Sequence, residues 1–88
     1  MKKIVLDFTN CNDMHKLLKE IFEFPDYYGE NWSAFWDCLR DFYDSPSIVE
    51  IYGLYKLPKE FDEDIEIMLR ILDRLHAEDP DFEYIVIS

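Results

Sequence analysis

Three short runs of β-branched and apolar residues, KIVLDF at 3–8, SIVEIY at 47–52 and FEYIVI at 82–87, are separated by segments whose apolar residues recur at helical spacing. This alternation restricts the fold more than any other feature. Such runs are strands. Strands separated by helices return through crossovers and lie parallel. A right-handed crossover fixes the side of the sheet on which its helix packs. With the strands in order 1-2-3, both crossovers place their helices on one face. The expectation is an α/β fold of two layers, a three-stranded parallel sheet (order 1-2-3) with three to four helices packed on it, formed by residues 1–88 as a single domain.

Ile4, Leu6 and Phe8 share one face of the first run. Asn10, Asn12 and Asp13 supply turn and N-cap oxygens for a helix whose buried stripe is Met14, Leu17, Leu18, Ile21 and Phe22. Pro25 ends it. In the loop from Asp26 to Asn31, Gly29 answers a positive φ or a close approach of the backbone. Asn31 is placed to cap a second helix with Trp32, Phe35, Trp36 and Leu39 on one face. Ser33, Asp37, Arg40, Asp41 and Asp44 lie on the other, and Ser45-Pro46 stops the helix. Residues 53–63 read as a loop with a short helical turn near Pro58. Ile65, Met68, Leu69, Leu72 and Leu75 then mark a helix from Asp64 to Glu78, broken by Asp79-Pro80-Asp81. Acids crowd its start, while Arg70, Arg74 and His76 lie toward its end, as the helix dipole favours.

Apolar residues make up 49% of the chain, enough for a core without covalent staples. Cys11 and Cys38 are too few for a disulfide framework and read as reduced thiols. The net charge is −11, which argues against nucleic acid and anionic membrane surfaces and fits either a basic partner or simple solubility. Residues 20–50 carry −7 of it, with Arg40 their one base. MKKIVLDF begins like a secretion signal, but Asp7 cuts its apolar run to three residues, where a signal needs about 7–15. The expected location is the cytoplasm. Catalysis finds little support. Two glycines cannot build a phosphate loop, and no cysteine and histidine spacing suits zinc. His15 and His76 stand alone, each on a helix. Asp37 would raise, not lower, the pKa of the neighbouring Cys38. No enzyme, cofactor or metal site is expected.

The segment YYGENWSAFWDCL, 27–39, gathers Tyr27, Tyr28, Trp32, Phe35 and Trp36 around one glycine and sets Asp37 beside a tryptophan. Phe35 belongs to the core by default. Asp37 sits about 100° around the helix from Trp36, so Trp36 falls at the edge of the buried stripe. Aromatic rings around a central charged group are the composition of a binding hot spot. A solvated helix face beside a loop that covers the core has the same pattern, and the pattern alone weighs the two evenly.

PDYYGENWSAFWDCL, 25–39, resembles the signature of the barstar family, intracellular inhibitors of secreted, barnase-like ribonucleases. The resemblance continues through Asp13 and His15, Pro46, Ala77-Glu78 and the closing Ile87-Ser88, and so covers essentially the whole chain. It implies the fold expected above and a cis peptide bond before Pro46. It also implies a cofactor-free 1:1 complex with a basic ribonuclease and a monomer when free. The second helix and the loop before it would plug the enzyme's active site, with Asp37 in the place of a substrate phosphate. Tyr27 and Tyr28 would meet the enzyme from the loop, Gly29 and Asn31 would bring backbone against the cleft, and Trp36 and Phe42 would frame the contact. Ser33, Arg40, Asp41 and Arg74 depart from the family prototype at contact positions, with Asp41, Asp44 and Asp73 as compensating acids. The alternative is an acidic binding module, or antitoxin, for a basic partner that is not a ribonuclease.

Overall fold

The computed structural model describes residues 1–87; Ser88, the last residue of the resemblance, lies outside the described residues. In chain order the elements are β1 (Lys2–Asp7), α1 (Met14–Phe22), α2 (Trp32–Phe42), β2 (Ser47–Tyr52), α3 (Asp62–Glu78) and β3 (Phe82–Val86). Two 3-10 turns, Leu54–Lys56 and Lys59–Phe61, precede α3. The sheet has the order β1-β2-β3 with both pairs parallel, as expected. Ile4, Val49 and Tyr84 form one cross-strand row, and Leu6, Ile51 and Val86 the next.

Burial alternates along β1 and β2, because successive side chains point to opposite faces. Ile4, Leu6, Val49 and Ile51 face the core with Leu18, Phe35, Leu39, Met68 and Leu72 from the three helices. Val5 and Ile85 are exposed, and Lys3 pairs with Glu50 at 3.4 Å. The helices thus take one side of the sheet. No helix among the described residues is long and apolar enough to cross a membrane.

Capping explains where the helices begin and end. The Asp13 carboxylate accepts from the Lys16 amide at 3.2 Å, opening α1. Glu23, at φ 57°, closes it in the left-handed conformation, two residues before Pro25. Asn31 caps α2, its Oδ1 accepting from the Ala34 amide at 2.8 Å. Helix α3 starts two residues before the expected Asp64, because the Lys59–Phe61 turn runs straight into it and Phe61 offers no side-chain cap. A 3-10 turn lies on each side of Pro58.

The positive φ expected at Gly29 falls instead on Glu30, at 52°. Gly29 meets its other expectation, close approach: a Cβ there would stand 3.2 Å from the Asn31 side-chain nitrogen. Gly53 needs both properties, with φ at 78° and a Cβ that would fall 2.7 Å from the Thr9 amide nitrogen. The Ser45–Pro46 bond is cis. Cys11 and Cys38 are free thiols.

Candidate functional site

Helix α2 is oriented by what it buries. Phe35 and Leu39 are fully enclosed and Cys38 nearly so, which turns Ser33, Asp37, Arg40 and Asp41 outward. Asp37 stands in the middle of this face. Among the described residues it has no hydrogen-bond or salt-bridge partner. Phe42 is 46% exposed at the end of the helix. Asp44, beyond that end, is already committed: Lys2 Nζ lies 2.7 Å from its carboxylate.

The two tyrosines of the loop part company. Tyr27 is 71% exposed, whereas Tyr28 is buried in the core at 5%. The Tyr28 hydroxyl lies 2.6 Å from His15 Nδ1. Burial pushes the phenol's pKa well up and the imidazole's pKa down, so both groups are neutral at pH 7. We therefore assign the hydroxyl as donor and Nδ1 as acceptor. The His15 ring lies 4.3 Å from that of Trp32, whose Nε1–H donates to Asp64 Oδ1 at 2.8 Å. Phe24 packs on Tyr28 at 5.0 Å and on Phe35 at 6.0 Å. Rings and two hydrogen bonds thus tie α1, the loop, α2 and α3 together beneath the exposed face. The Asn31 amide also donates to the Gly29 carbonyl at 3.2 Å, which tightens the loop just before the helix.

Trp36 is half-buried at the margin. The Arg40 guanidinium carbon lies 5.1 Å from its ring centroid, and that of Arg74, from α3, lies 4.3 Å away. The structure therefore brings Arg74 to the α2 surface through an indole both arginines share. Of the residues singled out by sequence, Tyr27, Gly29, Asn31, Ser33, Asp37, Arg40, Asp41 and Phe42 are exposed along one continuous stretch of loop and helix. Tyr28 lies beneath it and Asp44 beyond it. Sequence reasoning missed the supports. His15 read as a histidine standing alone on its helix, and the Trp32–Asp64 bond joins residues 32 positions apart with no local signal.

This arrangement suits recognition better than reaction. An unpaired carboxylate on a braced helix accepts charge-assisted hydrogen bonds from cationic donors. The Cys38 thiol is pushed up by burial first, then by Asp41 and Asp37, and stays protonated and a poor nucleophile. No group of residues among those described could hold a metal ion.

Comparison with known proteins bears on the whole chain. A family model described as Barstar (barnase inhibitor) matches residues 1–87. The chain is also similar to a Bacillus subtilis (strain 168) protein named "Putative ribonuclease inhibitor YrdF", with 47% identity over 49 residues. That alignment covers 52% of this chain and 54% of the other, so the chain spans about half the length of this curated relative.

Proposed function

The chain belongs to the barstar family, inhibitors rather than enzymes, and from that premise we propose that it inhibits a basic, barnase-like ribonuclease by plugging its active site. The observation that carries this reading is Asp37, a carboxylate without an internal partner, held outward by a helix whose opposite face is locked in the core. A ribonuclease cleft gathers cationic groups around the scissile phosphate. Asp37 offers them the same negative charge, and Trp36 and Phe42 exclude water around it, which strengthens the attraction. Exposed Tyr27 adds a ring at the edge of the plug, and Gly29 and Asn31 bring the loop backbone close. The complex is 1:1 and forms in the cytoplasm of the producing cell. The acidic field, −7 over residues 20–50, speeds capture of a basic enzyme; barnase–barstar is itself a reference case for such steering.

The test measures RNA cleavage by barnase and related basic ribonucleases with wild-type protein and Asp37→Ala, at low and high salt. Salt-sensitive inhibition by the wild type is expected, with binding weakened by about 2 kcal/mol or more in the variant, the range of a central hot spot. Its thermal stability should stay within about 0.5 kcal/mol of wild type, because the carboxylate supports nothing in the fold. Inhibition that survives Asp37→Ala would remove the phosphate-mimic role. Binding to basic proteins without any block of RNA cleavage would turn the reading to a partner that is not a ribonuclease.

A further inference from the structure

Two guanidinium groups on one indole, beside an unpaired carboxylate, stand out in a surface this acidic. Arg40 is the one base in residues 20–50. Asp37 stands one turn back on α2 and Asp44 lies beyond the helix end, yet among the described residues Arg40 pairs with neither. Asp44 is held by Lys2, and Arg40 rests on Trp36. Arg74 reaches the same ring from α3, and its Nε makes a long ion pair with Glu78 at 3.8 Å. Arg70, one turn earlier, shows the contrast, with a 2.6 Å contact to Glu66. A guanidinium on an aromatic face keeps its in-plane N–H donors for a planar, bidentate acceptor. Both guanidinium groups are exposed on one indole as a cationic clamp, and beyond the Arg74 Nε contact with Glu78 their N–H donors face outward to a partner.

We propose that Arg40 and Arg74, braced on Trp36, form a second recognition point that takes a carboxylate from the rim of the partner enzyme, next to the cationic cleft that takes Asp37. This rests on the inhibitor reading above and sharpens it by naming the partner's charge pattern: cationic at the centre, acidic at one side. Pairing opposite signs at two adjacent points gives specificity that a uniformly acidic plug lacks. An enzyme with a lysine or arginine facing the clamp is repelled. A protein carboxylate is favoured over an RNA phosphate because the net charge of −11 opposes a polyanion.

The probe is barnase together with variants in which single lysine or arginine residues around the mouth of its active site are replaced by glutamate. Binding is measured for wild-type inhibitor, Arg40→Ala/Arg74→Ala, Arg40→Lys/Arg74→Lys and Asp37→Ala, with thermal midpoints to confirm folding. At least one glutamate variant should bind the wild type about tenfold or more tighter than barnase does, the scale of a close interfacial charge pair. The alanine pair should erase that gain. The lysine pair should restore only part of it, because lysine lacks the planar fork. If every glutamate variant binds no better while Asp37→Ala still abolishes inhibition, the clamp is wrong and the inhibitor reading stands. If no enzyme is bound and Asp37→Ala changes nothing, both fall. Binding of a short single-stranded RNA to the inhibitor alone, lost in the alanine pair, would overturn the protein-carboxylate assignment in favour of nucleic acid.

Discussion

Helices α2 and α3 are both amphipathic and both belong to a strongly acidic chain, yet they satisfy their exposed faces in opposite ways. Helix α3 has 17 residues, three acids in its first turn and a histidine in its last. Arg70 and Glu66 pair along its surface, and the charge order follows the helix dipole. Helix α2 has 11 residues and no acid in its first turn. Isolated helices of that length are marginal in water. It exists because Phe35, Cys38 and Leu39 are buried and because neighbouring elements hold it through Trp32 and Tyr28. A face that pairs its own charges has done what stability asks of it. A face braced from below that leaves Asp37 unpaired is what the proposed plug of a ribonuclease cleft requires.

The contrast breaks first at Phe35. Its ring is fully buried and meets Phe22, Phe24 and Trp32. Phe35→Ala should cost about 3–5 kcal/mol in urea unfolding, the range for an enclosed aromatic. A loss under about 1 kcal/mol would mean that α2 is seated by something other than this core.

Trp32→Phe comes next. It keeps a ring against His15 and removes the bond to Asp64. The expected cost is about 1 kcal/mol, because Asp64 is partly exposed and water takes over as its partner. Faster amide exchange in the first turn of α2 than in α3 should accompany it. Equal exchange in both helices would show that the bond contributes to global stability and does not brace α2.

Comparing these two sites shows what was legible beforehand. The strands and the buried stripes were, since β-branched runs and helical periodicity are local signals that survive in the folded chain. Each strand lies within a residue or so of its expected span. The surface was legible in part. Asn31 announces its cap, and Asp37 follows from the roll that Phe35 and Leu39 impose. Tyr27 and Tyr28 are chemically alike and adjacent, and only tertiary packing decides that one is exposed and the other buried. The placement of positive φ at Glu30 instead of Gly29, and the meeting of Arg74 with Trp36, likewise depend on how distant segments pack.

A change of pH should also separate the helices. Burial lowers the pKa of His15, against the opposing pull of Asp13, Asp64 and Glu30. The unfolded chain therefore takes up a proton below about pH 6.5 that the folded chain resists. Stability that is intact above that pH should decline as pH falls through the window between the unfolded and folded values. The loss should appear at the loop and α2, because a protonated Nδ1 no longer accepts the Tyr28 hydroxyl. Trp32, 4.3 Å from the ring, reports it by fluorescence, and His15→Gln should flatten the titration. Asp7 and Asp79, held below the usual carboxylate range by hydrogen bonds from Thr9 and Tyr43, act in a separate window below about pH 4. A Trp32 signal that moves only there would assign the response to the carboxylates.

The smallest effect is expected on α3, and its smallness is the point. Arg70→Ala removes an exposed helical ion pair, for which about 0.3–0.5 kcal/mol is typical and salt reduces it further. Arg70 and Arg74 lie one turn apart on the same helix, so replacing either removes the same charge from α3. If α3 is structural and the α2 margin is for recognition, Arg70→Ala should leave ribonuclease binding almost unmoved once the small steering effect is screened by salt. Arg74→Ala should change it at every salt concentration. Equal responses would mean that the partner senses only the overall field of the inhibitor, and that the division of labour between the two helices does not extend to binding.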